Sequence, residues 1–256
     1  MSDSVLYDLT DGVAVLTLNR PGVMNALSAQ LRHDLGVALA RATEQARVIV
    51  LTGAGRGFCS GQDLTDVDLG SVDLEAVLRD EYEPLLTAIV TCPLPVIAAV
   101  NGAAVGAGAG LALSCDVVIA AESASFAQSF TRIGLVPDAG GSYWLPRQIG
   151  LARAMGAMLF AEKISARQAA DWGMIWQAVP DDTFTADWQA RAQALAAGPG
   201  LAYRGVKQAL RASFDNDFAT QLALEARLQG ACGASQDFRE GVQAFLSKRP
   251  ARFQSR

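Results

Sequence analysis

Three stretches of this chain carry residues from which chemistry can be built: GAGRGFCSGQDL at 53–64, NGAAVGAGAG at 101–110 and VPDAGGS at 136–142. The first two are glycine-rich junctions that come straight off apolar runs, 48–52 and 96–100, and the third presents a single carboxylate, Asp138, among small residues. Backbone without bulky side chains can aim NH groups at a ligand oxygen. A thioester carbonyl polarised in that way has an acidic α-proton, because the enolate places its charge on an oxygen that two fixed donors can meet. Asp138 could then carry the proton. On these residues alone two other readings stay open: the glycines also suit tight turns, and an Asp before small residues is a favoured helix N-cap.

The elements that must position these stretches alternate between the two periodicities. Val13 to Leu18 reads as a strand, and 28–46 as a helix capped by Ser28 with Leu31, Leu35 and Leu39 on one stripe. Val48 to Thr52 is the strand before the first junction. An acidic loop through Asp63, Asp66 and Asp68 follows, then a helix over 73–91 that the CPLP turn ends. Val96 to Val100 leads into the second junction, a helix is expected to start over 108–114, and Asp116 to Ala121 is a further strand. After Arg147 the pattern turns helical, with one helix opening at Ser165 and only helices from Asp181 on, broken by GPG at 198–200 and by Gly233. The pattern is α/β, then α.

Composition narrows the function classes. A chain of 256 residues fits one large domain or a domain with a small appendage. With 51% hydrophobic and 18% charged residues, it suits an enzyme that hides much of its surface, in part within an oligomer. Net charge of −5 argues against nucleic acid as a partner. No apolar run approaches a membrane span, and the acidic start MSDSVLYDL suggests a protein that stays in the cytoplasm. Cys59, Cys92, Cys115 and Cys232 lack metal-ligand spacing and His33 is the lone histidine, so no metal is expected. Cys59 lies two residues before Gly61, but with no histidine to activate it a nucleophilic role is not expected.

Five further blocks, taken in order with the two junctions, resemble the crotonase family, also called the enoyl-CoA hydratase/isomerase superfamily. They are LTLNRPGVMNALS (16–28), the two junctions, SCDVVIAAESASFAQSF (114–130), GLVPDAGGSYWLPR (134–147), ISARQAADWGMIWQAV (164–179) and FREGVQAFLSKRPARF (238–253). Within the family, GRGFCSGQDL, LVPDAGG and DWGMIWQAV are most similar to the branch of 1,2-epoxyphenylacetyl-CoA isomerases.

The resemblance implies a crotonase-type α/β spiral of strand-strand-helix turns over 1–195. It implies a helical C-terminal subdomain over 196–256 that serves oligomerisation and the CoA site. It assigns the two oxyanion donors to the backbone of Gln62, whose side chain should matter little, and of Ala107, with Asp138 as acid and base. The glutamates of the family's hydratases fall at Gly110 and Phe130, so hydration is expected to be weak and a single-base proton shift remains. Expected substrate contacts are Asn25, Ala26, Leu27, Ser60, Gly61, Asp63, Leu64, Gly106, Phe130, Tyr143 and Lys248. Tyr82, Leu86 and Trp144 are further candidates for an apolar acyl pocket. Arg20, Lys207, Lys248 and Arg249 are candidate phosphate partners, with solvated surface charge as the alternative.

The implied activity is an acyl-CoA isomerase, rearranging ring 1,2-epoxyphenylacetyl-CoA to oxepin-CoA and shifting 3-enoyl-CoA to 2-enoyl-CoA. A Δ3,Δ2-enoyl-CoA isomerase of fatty-acid oxidation and a non-catalytic acyl-CoA binder are the alternatives. CoA enters as part of the substrate and no separate cofactor is expected. A homotrimer or a dimer of trimers is the implied assembly.

Overall fold

The computed structural model describes residues 4–66, 70 and 72–255. Asp68, part of the expected acidic loop, lies outside them. The chain opens with an antiparallel pair, β1 (Val5–Thr10) and β2 (Val13–Leu18), and continues into α1 (Ala29–Gln45). Ser28 caps α1, its hydroxyl accepting the Leu31 NH at 3.2 Å, and Leu31, Leu35 and Leu39 bury as the stripe requires.

A three-part pattern then repeats. Strand β3 (Val48–Gly53) is followed by the short β4 (Gly57–Cys59), and β5 (Val96–Val100) by β6 (Ala103–Val105), which leads into α4 (Ala107–Leu113). Strand β7 (Val117–Ala121) is followed by β8 (Ser125–Ala127) and a 3-10 turn over Ser129–Ile133. Between β4 and β5 runs one helical rod made of α2 (Leu74–Val77), a π-helical turn (Leu78–Tyr82) and α3 (Glu83–Thr91). After α5 (Gly141–Phe160) come β9 (Ile164–Ser165), α6 (Ala166–Asp171), capped by Ser165, and β10 (Gln177–Val179). Helices α7 (Phe184–Ala196), α8 (Gly200–Ala212), α9 (Phe218–Gly233) and α10 (Gln236–Leu246) complete the chain.

The long strands form one sheet, in the order β1-β2-β3-β5-β7-β10, parallel except at β1. The central runs β3, β5 and β7 are buried along most of their length, β5 wholly so, as strands covered on both faces must be, whereas the edge strand β1 is mostly exposed. The short strands form a second sheet, β4-β6-β8-β9, with β4, β6 and β8 parallel. That order sets the site: the first glycine junction leaves β4, the second leaves β6, and the Asp138 loop follows β8. Three stretches far apart in sequence therefore emerge from the same end of three adjacent parallel strands.

Several elements differ from the sequence reading. The sequence reading did not place β1, β9, β10 or the short strands of the second sheet: strands of two or three residues are too short to show a period, and the six-residue β1 is a mostly exposed edge. The helix expected after Arg147 begins six residues earlier, at Gly141. The expected boundary at 195/196 falls at the end of α7, which packs on β2, β3 and β7.

Candidate active site

The two glycine junctions touch. Gly61 stands at φ +91°, a conformation a side chain rarely adopts, and a Cβ there would lie 2.7 Å from the Val105 carbonyl and 3.4 Å from the Ala107 nitrogen. Glycine is therefore required by both backbone angle and space. Leu27 forms a parallel bridge with Gln62: the Leu27 NH donates to the Gly61 carbonyl at 2.8 Å and the Asp63 NH to the Leu27 carbonyl at 3.3 Å. In such a bridge the NH of the central residue is left over, so the Gln62 NH is directed away from Leu27. Ala107 opens α4, where first-turn NH groups have no intrahelical carbonyl to reach. Gly61's own NH goes to the Cys59 sulfur, whose thiol burial pushes up to about 12. Cys59 thus supports the loop and has no thiolate to offer as a nucleophile.

Asp138 does not cap α5. The N-cap is Gly140, in left-handed conformation and without a side-chain cap bond, while the Asp138 carbonyl accepts the Gly141 NH at 2.8 Å. Its Oδ1 is buried and has no hydrogen-bond partner among the described residues, and burial pushes the carboxyl from 3.8 up to about 6. No cation compensates it. Its charge reaches the Tyr82 hydroxyl, which burial drives up further, against the pull of Arg32.

The positions that resemble the hydratase glutamates are occupied in a definite way. A Cβ on Gly110 would lie 2.3 Å from the Ala139 carbonyl oxygen, so the Asp138–Ala139 loop packs into the space where a side chain would start. Phe130, 8% exposed, lays its ring beside Gly106, where a Cβ would stand 3.5 Å from the ring edge. Neither of these two positions carries a carboxylate, and Phe130 presents an apolar ring beside the second junction.

Other expected contacts sort into those that remain beside the loops and those that the fold has claimed. Ala26, Leu27, Ser60 and Gly61 line the first junction, and Leu64 is exposed beyond it. Asn25 is fully buried: its amide donates to the carbonyls of Ala54, Gly57 and Phe58 at 2.8–3.1 Å and its oxygen accepts the Arg20 NH at 2.8 Å. Its side chain builds the turn and so shapes the backbone of 25–27, the part of this segment expected to meet the substrate. Asp63 and Arg20 pair with one another at 2.7 Å, and Asp63 also accepts the Thr65 hydroxyl at 2.6 Å. The Thr65 hydroxyl first, and Arg20 after it, hold the Asp63 carboxyl below the usual carboxylate range against the effect of burial.

Lys207 is likewise spent on Asp116 and on the Leu94 carbonyl, each at 2.6 Å, and Arg249 on Glu240 at 2.7 Å. Lys248 stands exposed past the end of α10. Tyr143 faces outward, 40% exposed, with Arg147 over its ring at 3.7 Å, whereas Trp144 turns inward and donates to Ser114 at 3.1 Å. Tyr82 is buried within the hydrophobic core and Leu86 packs against it. The Gln62 side chain, expected to be idle, is anchored: its carboxamide oxygen accepts from the Tyr82 hydroxyl and, at 3.1 Å, from Arg32. Arg32 was not foreseen; the only signal was a cation directly beside the leucine stripe of α1.

Among the described residues no cluster of His, Cys, Asp or Glu could hold a metal ion, and no helix is long and apolar enough to cross a membrane. A profile of the Enoyl-CoA hydratase/isomerase family matches residues 8–256. A Rhodobacter capsulatus protein described as a probable enoyl-CoA hydratase is 63% identical over 99% of this chain and 98% of its own. The 1,2-epoxyphenylacetyl-CoA isomerase of Escherichia coli K12 is 44% identical over 99% of each chain. The crystal structure of an enoyl-CoA hydratase from Bacillus anthracis, 33% identical, superposes with a TM-score of 0.92 over 99% of this chain and all of its own. Fold, junctions and similarity agree that the chain belongs to the enoyl-CoA hydratase/isomerase family, the crotonase superfamily.

Proposed function

We propose that the protein is an acyl-CoA isomerase in which Asp138 is the sole proton carrier. The carrying observation is a buried carboxylate with an unpartnered oxygen, poised at about 6, beside two adjoining junctions whose spare NH groups belong to Gln62 and Ala107. The thioester oxygen of a 3-enoyl-CoA accepts from both NH groups. Asp138 removes the α-proton, and the C–H pair becomes a double bond between the α- and carbonyl carbons as the carbonyl pair moves onto the oxygen. In the resulting dienolate that pair then returns, the double bond shifts to the α,β-position and the γ-carbon takes the proton back to give the 2-enoyl-CoA. Nothing is consumed. Two such donors contribute about 3 kcal/mol each to the transition state.

The apolar wall at Phe130 and Tyr82 suits a ring-bearing acyl group, which together with the 44% identical relative favours the rearrangement of ring 1,2-epoxyphenylacetyl-CoA to oxepin-CoA. Δ3,Δ2-Enoyl-CoA isomerisation in fatty-acid oxidation needs the same three groups, and turnover of the epoxide separates the two. Coenzyme A is part of the substrate, held along 25–27 and 60–61 with Lys248 as a phosphate partner, and no further cofactor takes part. Exposed Phe245 and Leu246 at the end of the helical region support association of chains, as a trimer or a dimer of trimers.

The name of the 63% identical relative favours a second reading, hydration of a 2-enoyl-CoA. Adding water requires a group to orient it and deliver a proton, and this site has one carboxylate where the hydratases of the family resemblance have two glutamates. Initial rates on a 3-enoyl-CoA and on crotonyl-CoA, measured on one preparation, test the choice. Double-bond migration should exceed hydration by at least about 10²-fold; hydration at a comparable rate would favour the second reading, and binding without turnover of either substrate would leave only an acyl-CoA binder.

A further inference from the structure

Arg32 is a buried cation that the proposed chemistry does not use. It is 4% exposed, on the face of α1 that meets both the first junction and the helical rod over 74–91. One of its terminal nitrogens donates to the Leu27 carbonyl at 2.6 Å and to the Gln62 carboxamide oxygen at 3.1 Å, so it grips both residues of the parallel bridge. Its Nε donates to Glu81 at 3.0 Å and the other terminal nitrogen closes on the same carboxylate, while the guanidinium carbon stands 4.7 Å over the Tyr82 ring. The Tyr82 hydroxyl completes the ring of contacts by donating to the same Gln62 oxygen. Glu81 and Tyr82 lie in the π-helical turn, whose extra residue is the kind of local irregularity that recurs where a helix must re-aim its side chains.

We infer that Arg32 and Tyr82 are positioning residues that fix the Gln62 NH through its own side chain. The inference rests on the reading of that NH as an oxyanion donor. The bridge to Leu27 holds the Gly61 carbonyl and the Asp63 NH on either side of Gln62, and the Gln62 side chain adds a third hold. The carboxamide is the lever: two donors hold its far end, Arg32 from α1 and Tyr82 from the rod, whose ring is the proposed wall of the acyl site. Displacement of that rod by an ill-fitting acyl group is thereby transmitted to the carbonyl donor, which ties acyl recognition to carbonyl polarisation. A misplacement of about 1 Å in such a group costs about 10²-fold in rate.

The test uses the full-length enzyme and the variants Tyr82→Phe, Gln62→Met and Asp138→Asn. Turnover of a 3-enoyl-CoA, the Kd of a saturated acyl-CoA and the Raman carbonyl band of bound 2-enoyl-CoA are measured for each. Tyr82→Phe and Gln62→Met should lower kcat by roughly 10-fold, short of the loss for a full displacement, leave Kd unchanged, and return the carbonyl band part of the way to its position in water. Asp138→Asn should lose turnover with the band still shifted. Lower melting temperatures with kcat and band as in the wild type would make the cluster merely structural and overturn the inference. Because Gln62 is partly exposed, Gln62→Met gives this reading even where Tyr82→Phe fails to fold. An unshifted band in the wild-type enzyme would overturn the oxyanion reading itself, and the inference with it.

Discussion

Asp138 is held where it is costly to hold a charge, and its behaviour should show that cost. Because burial raises its pKa to about 6, kcat/KM for isomerisation should rise with pH through an apparent pKa near 6, read from initial rates across the acid range. Asp138→Asn should lower turnover by about 10²-fold or more while sparing CoA-ester affinity; a variant keeping a tenth of wild-type turnover would contradict the role. The stability sign is opposite to that of a paired carboxylate. The folded value lies above the ordinary 3.8, so the folded protein binds this proton more tightly and loses stability as pH rises from 3.8 to about 6. Asp138→Asn should therefore melt above the wild type at about pH 8, with the gap closing towards pH 4, as scanning calorimetry would show. At this scale the sequence was most legible in the glycines of the junctions, because the φ of +91° at Gly61 and its approach to the Val105 carbonyl are demands that glycine meets. It was least legible in the polar side chains around them, because nothing local shows that Asn25 will bond to three carbonyls, or Asp63 to an arginine 43 positions away.

Among elements, the second sheet does the assembling. Strands β4, β6 and β8 are only three residues each, yet their parallel order delivers the two junctions and the Asp138 loop to one end. Periodicity could not announce them, whereas the buried runs of β3, β5 and β7 and the capped stripe of α1 were readable because length and burial leave a clear pattern. The loop after β8 is packed so closely on α4 that a hydratase-like carboxylate cannot be restored by one substitution. Gly110→Glu would drive a Cβ to 2.3 Å from the Ala139 carbonyl. It should cost about 1–3 kcal/mol or more in denaturant unfolding, lower isomerase turnover by displacing Asp138, and add no hydration of crotonyl-CoA.

At the scale of the molecule, the helices after 196 are fastened to the sheet by charge. Asp116 receives Lys207 at 2.6 Å and Arg211 at 2.8 Å, all three largely shielded from water. A pair of cations on a shared carboxylate looks in sequence like any two surface charges on an amphipathic helix, which is why Lys207 also read as a phosphate partner. Lys207→Met should lower stability by about 1.5–3 kcal/mol in urea unfolding and leave the calorimetric affinity for CoA esters unchanged. Beyond this brace, α8, α9 and α10 enclose an apolar groove of about 920 Å³ lined by Leu201, Val206, Leu222, Phe238, Val242 and Phe245. Asp138, Gln62 and Ala107 do not line it, and the proposed association of chains would cover its apolar wall. Sedimentation should give the mass of three chains or of six.

All three scales meet in the position of one oxygen. A structure of the enzyme with an unreactive acyl-CoA should place the thioester oxygen about 2.7–3.1 Å from the backbone nitrogens of both Gln62 and Ala107, with the α- and γ-carbons facing the Asp138 carboxylate. A carbonyl turned away from both nitrogens in an intact, active enzyme, or a γ-carbon out of reach of Asp138, would contradict a proton shift carried by that single carboxylate.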